Sequence, residues 1–163
     1  MMEGTSTKRV GTGAETLVLC VQSENNICAI PVRDISEIMR PMPREVLPDS
    51  PHFVIGMSVI RGRPVPVVDF SSLIGLKRSS QFGKYVVLNL ESRKVALAVE
   101  NVLGIKNLSL EFMEKLPPLL QNVHPDIISA IGTLDEDFLI LIQTPKLVSI
   151  DAWEKICSNE LEK

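Results

Sequence analysis

Three things are scarce in this chain of 163 residues, and each scarcity excludes a class of protein. Long apolar runs come first. None approaches the roughly 20 residues that span a bilayer as a helix, so no membrane insertion is expected. Residues 1–14 are small and polar, without the apolar stretch of a signal peptide, and are expected to form a disordered lead-in. Basic clusters come second. No basic run is longer than Lys77-Arg78, the net charge is −3 and the pI is near 5.4. Nucleic-acid binders draw most of their affinity from phosphate contacts made by a basic face, so no nucleic-acid partner is expected. Chemistry-bearing motifs come third. The three cysteines, Cys20, Cys28 and Cys157, are odd in number and lack metal-ligand spacing. They are expected to be buried, reduced thiols in a cytoplasmic protein, with no disulfide. No Gly-rich phosphate loop, acidic metal cluster or Gly-x-Ser-x-Gly elbow is found, so neither metal nor cofactor is expected.

What the sequence does contain is short β-branched runs separated by turn residues. Leu17–Val21 and Ile27–Ile30 flank Ser23-Glu-Asn-Asn26, which reads as a hairpin. Tyr85–Leu90 with Val95–Val99, and Ile128–Leu134 with Phe138–Ile142, read as two more. Met57–Ile60 and Val65–Val68 meet at Arg61-Gly-Arg-Pro64 as a fourth. Several short strands at such spacing predict barrels or a sandwich. The runs are more continuous than alternating, as when both faces of a strand are covered. Helix is sparse. Pro31 is placed to start a turn, and Val32, Ile35 and Ile38 recur at a helical spacing. Ser71–Gly75 reads as one helical turn closed by glycine. A C-terminal helix is predicted from Pro145 to Cys157, with a frayed tail at 158–163. Residues 107–126 are expected to be a long loop with one helical turn at 110–115. No internal repeat is visible.

The most distinctive stretch runs Leu47-Pro-Asp-Ser-Pro-His-Phe-Val-Ile-Gly56, then Ser58-Val-Ile-Arg-Gly62 and Val65-Pro-Val-Val-Asp69. It resembles the central signature of the CheW-like domain, the coupling protein of bacterial chemotaxis. Ile27–Ile38, Val95–Val102, Ile128–Leu134 and Phe138–Ile142 resemble further family motifs in the same order, over residues 15–157. Four motifs in sequence carry more weight than any one alone. There are departures: Val59 stands where the family usually has Asn, Glu100 where it has Asp, and Gln143 where it has Asp.

The resemblance implies an all-β fold of two small five-stranded barrel-like subdomains sharing a groove, and an adaptor rather than an enzyme. It implies two partners, the regulatory domain of a CheA-type histidine kinase and the cytoplasmic tip of methyl-accepting receptors. Recruitment to membrane receptor arrays would then go through partners. The implied receptor-facing residues are Ile35, Gly56, Met57, Ser58, Val102 and Ile105. Glu37 and Arg61 are implied to form an ion pair that fixes the adjoining loops, with Asp69 a competing partner for Arg61. Two alternatives stay open: a coupler for a different output, such as pilus motility, and a small hydrolase built on His52 and Asp69, with Asp49 or Ser71.

Overall fold

The computed structural model describes residues 15–23, 26–79, 81–90, 93–109, 114–115, 128–134 and 137–142. The predicted lead-in, C-terminal helix and tail, with Cys157 and Gln143, lie outside them. Eleven strands occur among the described residues, with one 3₁₀ turn and one four-residue helix. The strands are β1 (Glu15–Ser23), β2 (Asn26–Pro31), β3 (Ile35–Met39), β4 (Val54–Ile60), β5 (Arg63–Asp69), β6 (Lys84–Leu90), β7 (Arg93–Val99), β8 (Asn101–Ser109), β9 (Glu114–Lys115), β10 (Ile128–Leu134) and β11 (Asp137–Ile142). The helix, α1, is Phe70–Leu73. Gly75, at φ +89°, follows it, as expected of a glycine that ends a helical turn. The fold is mainly β, in two sheets.

Sheet one has the order β8-β1-β2-β11-β10-β9, and sheet two β3-β6-β7-β5-β4. All four predicted hairpins are present: β1–β2, β4–β5, β6–β7 and β10–β11. The wiring repeats. In each sheet a hairpin (β1–β2 or β6–β7) pairs in parallel with the last strand of a second hairpin (β11 or β5). The edge strand is exchanged: β3 leaves sheet one's first hairpin to join sheet two, and β8 leaves sheet two's hairpin to join sheet one. No sequence repeat announces this, because only the wiring is shared.

The continuous apolar runs follow from three cores. Along β1, Leu19 and Val21 enter a core shared by both sheets, while Val18 and Cys20 enter the interior of sheet one. Along β6 and β7, Val86, Leu88, Val95, Leu97 and Val99 face the shared core. Tyr85, Val87, Ala96 and Ala98 fill the interior of sheet two. Alternate residues point to opposite faces of a strand, and here both faces are dry, so polar positions drop out of the pattern.

Two expectations need correction. Val32–Asp34 is a 3₁₀ turn, but the helical spacing that continues through Ile38 belongs to a strand, β3. A bulge between Ile35 and Glu37 explains it. Ile35 pairs with Leu88 and Ile38 with Val86, so three residues of β3 match two of β6, and both isoleucines point to one face. Likewise, residues 107–109 extend β8 and Glu114–Lys115 pair with β10, while the rest of the predicted loop and helical turn, 110–113 and 116–126, lies outside the described residues. β8 escaped the sequence reading because Gly104 and Lys106 interrupt its apolar pattern.

Candidate protein-binding surface

The exchanged edge strands β3 and β8 border the shared core, and both carry a bulge. On β8 the register shifts between Val102, opposite Val21, and Gly104, opposite Cys20. Ile105 then falls opposite Leu19, so Val102 and Ile105 share a face despite standing three apart. Ile35 and Ile38 are arranged the same way on β3. Ile35 and Val102 are partly buried against the shared core. Ile38 and Ile105 are exposed at its rim, Ile105 by 57%. Leu17, exposed and two residues before Leu19, continues the same face of β1. Leu17 and Ile38 were not among the residues expected to face a receptor; the two-residue alternation back from Leu19 was the signal for Leu17.

Gly56, Met57 and Ser58 lie on β4. Gly56 has φ +151°, and a Cβ there would meet the Glu45 carbonyl oxygen at 2.7 Å. Only glycine permits that approach. The segment 41–47 therefore lies against β4, with Glu45 and Met57 exchanging backbone hydrogen bonds of 2.9 and 2.8 Å. Ser58 is buried, and its hydroxyl donates to the Pro43 carbonyl at 2.9 Å. Gly56 and Ser58 thus lie beneath this loop and shape the surface only through it. Met57 is half-buried and, with Met42, Arg44, Leu47, Val59 and Pro64, lines an apolar cavity of about 530 Å³.

Arg61 occupies the β4–β5 turn with φ +52°, followed by Gly62 at φ +79°. Positive φ at both central positions is the type I′ hairpin turn, whose twist matches that of its strands. Glycine adopts it easily; an arginine there is strained. This turn sets the guanidinium opposite Glu37. Arg61 Nε donates to Glu37 Oε2 at 2.8 Å and Nη2 to Oε1 at 3.0 Å, a two-point fork. Glu37 is on β3 and Arg61 directly follows β4, and these strands are the two edges of sheet two. The pair therefore ties the open edges of that sheet together. Arg61 is largely in water, its side chain 75% exposed, whereas the Glu37 side chain is 21% exposed. The hydrogen bond from Arg61 holds the Glu37 carboxyl below the usual carboxylate range, helped by the charges of Arg61 and Lys94.

Asp69 does not compete for Arg61. It is fully buried, and its Oδ2 accepts from Ser72 Oγ at 2.7 Å and Ser79 N at 3.2 Å. Among the described residues its Oδ1 has no hydrogen-bond partner, so His52 is not bonded to it. His52 is exposed and packs edge-on against Phe53. The residues of the hydrolase alternative are thus not assembled. Among the described residues, no group of three or more His, Cys, Asp or Glu is placed to hold a metal, and no helix is long and apolar enough to cross a membrane. Cys20 and Cys28 are buried free thiols, and burial pushes Cys28 up to about 12.

Comparison with known proteins agrees with this architecture. The CheW-like domain family matches residues 17–152. A probable chemotaxis protein CheW from Rhizobium etli is 22% identical over 87% of this chain and 92% of its own length. Protein PilI from Pseudomonas aeruginosa is 29% identical over 60% of this chain and 56% of its own. The crystal structure of the scaffolding protein TtCheW from Thermoanaerobacter tengcongensis matches with a TM-score of 0.74 at 18% identity, covering 84% of this chain and 94% of that one. With two sheets around a shared core and a forked ion pair across one sheet's edges, this chain belongs to the CheW-like domain family, whose members are non-enzymatic scaffold proteins.

Proposed function

We propose that this chain is an adaptor that couples methyl-accepting chemoreceptors to a CheA-type histidine kinase in chemotaxis. The observation that carries this reading is the pair of bulged edge strands. Ile35 and Ile38 on β3, with Val102 and Ile105 on β8, line the two sides of the shared core as aliphatic pairs running from half-buried to exposed. An amphipathic receptor helix needs a strip of this kind, an apolar lip continuous with a rigid core. The relatives named as chemotaxis proteins support this output.

The kinase's regulatory domain is assigned to the second apolar patch, the cavity of sheet two with exposed Val46 and Val59. The adaptor does no chemistry. It holds the kinase at a fixed angle to the receptor, so that receptor state shifts the kinase between its conformations. It works in the cytoplasm and reaches membrane arrays through its partners.

Pull-down with a receptor cytoplasmic fragment and with the kinase tests both assignments. Ile105→Glu and Val102→Glu should weaken receptor binding by more than about 1 kcal/mol each and spare the kinase. Val59→Glu should do the reverse. If both partners are lost together from folded Ile105→Glu protein, the groove is not a receptor site. The likeness to PilI supports a second output for the same adaptor. Receptor and kinase binding that persist in a strain whose swimming ignores deletion of the protein would assign it there.

A further inference from the structure

A polar chain crosses the seam between the sheets, away from the ion pair. Ser79 Oγ donates to Glu100 Oε2 at 3.1 Å. Ser71 Oγ lies 2.9 Å from Ser79 Oγ, and Ser23 Oγ bonds Ser71 Oγ. The direction follows from counting protons. A hydroxyl has one hydrogen to give, and a carboxylate only accepts. Ser79 gives its hydrogen to Glu100, so Ser71 must donate to Ser79. That commits Ser71, so Ser23 must donate to Ser71. Every bond points one way and ends on a negative charge, the arrangement in which successive hydrogen bonds strengthen one another.

The path of the chain is equally specific. Ser23 ends β1 in sheet one, Ser71 lies in α1 at the end of β5 in sheet two, and Ser79 is in the loop after α1. Glu100 is the single residue between β7 of sheet two and β8 of sheet one. The two ends meet at one corner of sheet one, where Gln22 pairs with Asn101. That corner starts β8, and Val102 is the next residue. Ser23 and Ser71 are each about 1% exposed, so water does not compete for the bond between them, while Ser79 and Glu100 are half-buried. The backbone is tight here as well: a Cβ on Gly83 would come within 2.4 Å of the Glu100 carbonyl oxygen.

We propose that Ser23, Ser71, Ser79 and Glu100 form a one-directional clamp that fixes β8 against sheet two and so positions Val102 on the groove face. Glu100 is a positioning residue, acting on a partner only through β8. The clamp itself is independent of the function proposed above; its effect on receptor binding rests on that reading.

Methyl NMR on the protein alone tests the clamp. Ser71→Ala should shift the Val21 and Val102 methyl signals and speed amide exchange at the Gln22–Asn101 corner roughly fivefold, the factor that one net hydrogen bond represents. Glu100→Ala, at a half-exposed site that keeps the fold, should do the same. Glu100→Gln retains an acceptor oxygen and should restore the native signals. Undisturbed Val102 signals in both Ser71→Ala and Glu100→Ala, or disturbance confined to α1, would overturn the clamp. Shifted Val102 signals with unchanged affinity for a receptor fragment would keep the clamp and overturn the groove assignment.

Discussion

Sheet one and sheet two share one wiring but are filled and closed differently. The interior of sheet two holds Tyr85 with Ile55, Ile60, Val65, Val67 and Val87 beside the small Ala96 and Ala98, and its loop 41–47 lies over β4. The described interior of sheet one is filled by Val18, Cys20, Ala29, Leu108, Leu139 and Leu141, without a ring of Tyr85's size. Sheet two's edges are tied by Glu37 and Arg61 in water, whereas the corner where β8 joins sheet one is tied by a serine chain whose inner end is buried. Equal topology therefore does not mean equal filling. Sheet two's interior holds Tyr85, the largest of the fully buried side chains among the described residues.

That contrast breaks first at Tyr85. The ring is fully buried, and its hydroxyl donates to the Met42 carbonyl at 3.2 Å, linking the interior to the overlying loop. Tyr85→Ala should cost about 3–5 kcal/mol, the usual range for deleting a large buried aromatic. Cys20→Ala, at a comparable depth in sheet one, should cost about 1 kcal/mol. Urea unfolding of both variants checks the ratio. Equal losses would mean that the two interiors bear load alike.

The same contrast decides what the sequence could reveal. Hairpins were legible because β-branched runs alternate with turn residues, and Arg61-Gly62 marked its turn outright. β3 and β8 were not, since bulges convert a period of two into a spacing of three that imitates a helix. The motifs around Gly56 drew attention to β4. Motifs do not encode burial, however, so Ser58 was read as surface when it lies beneath a loop. The serine chain was invisible because Ser23, Ser71, Ser79 and Glu100 are far apart in sequence and ordinary in type.

A smaller effect separates turn strain from the ion pair. Arg61→Gly removes both the guanidinium and the positive-φ penalty, while Arg61→Ala removes only the guanidinium. Thermal melting should therefore rank Arg61→Gly at or above wild type, with Arg61→Ala nearly unchanged or slightly below it. Both should impair kinase coupling in receptor complexes equally, because each frees the edges of sheet two. A double-mutant cycle with Glu37→Ala should show coupling energy in that assay. Additive single effects would mean that Glu37 and Arg61 act independently. A large drop in melting temperature for Arg61→Gly would mean that the fork, not glycine's freedom, holds the turn.

The smallest expected effect is the acid titration of Glu37. Its carboxyl is held below the ordinary range, first by the hydrogen bond from Arg61. A group whose folded value is depressed contributes stability above its unfolded value and loses that contribution as pH falls through the folded one. The fork should thus be intact at neutral pH and persist into mild acid, dissolving only below the range where free glutamates protonate. Arg61 is pushed upward, so it stays charged throughout this window. NMR titration of the Glu37 carboxyl should give a midpoint below that of a free glutamate. Arg61→Ala should move it most of the way back, leaving only the weaker pull of Lys94. Arg61→Lys keeps the charge but loses the fork, so its midpoint should fall between the two. If Arg61→Lys matches wild type, charge alone holds Glu37, and the two-point geometry across the edges of sheet two contributes nothing.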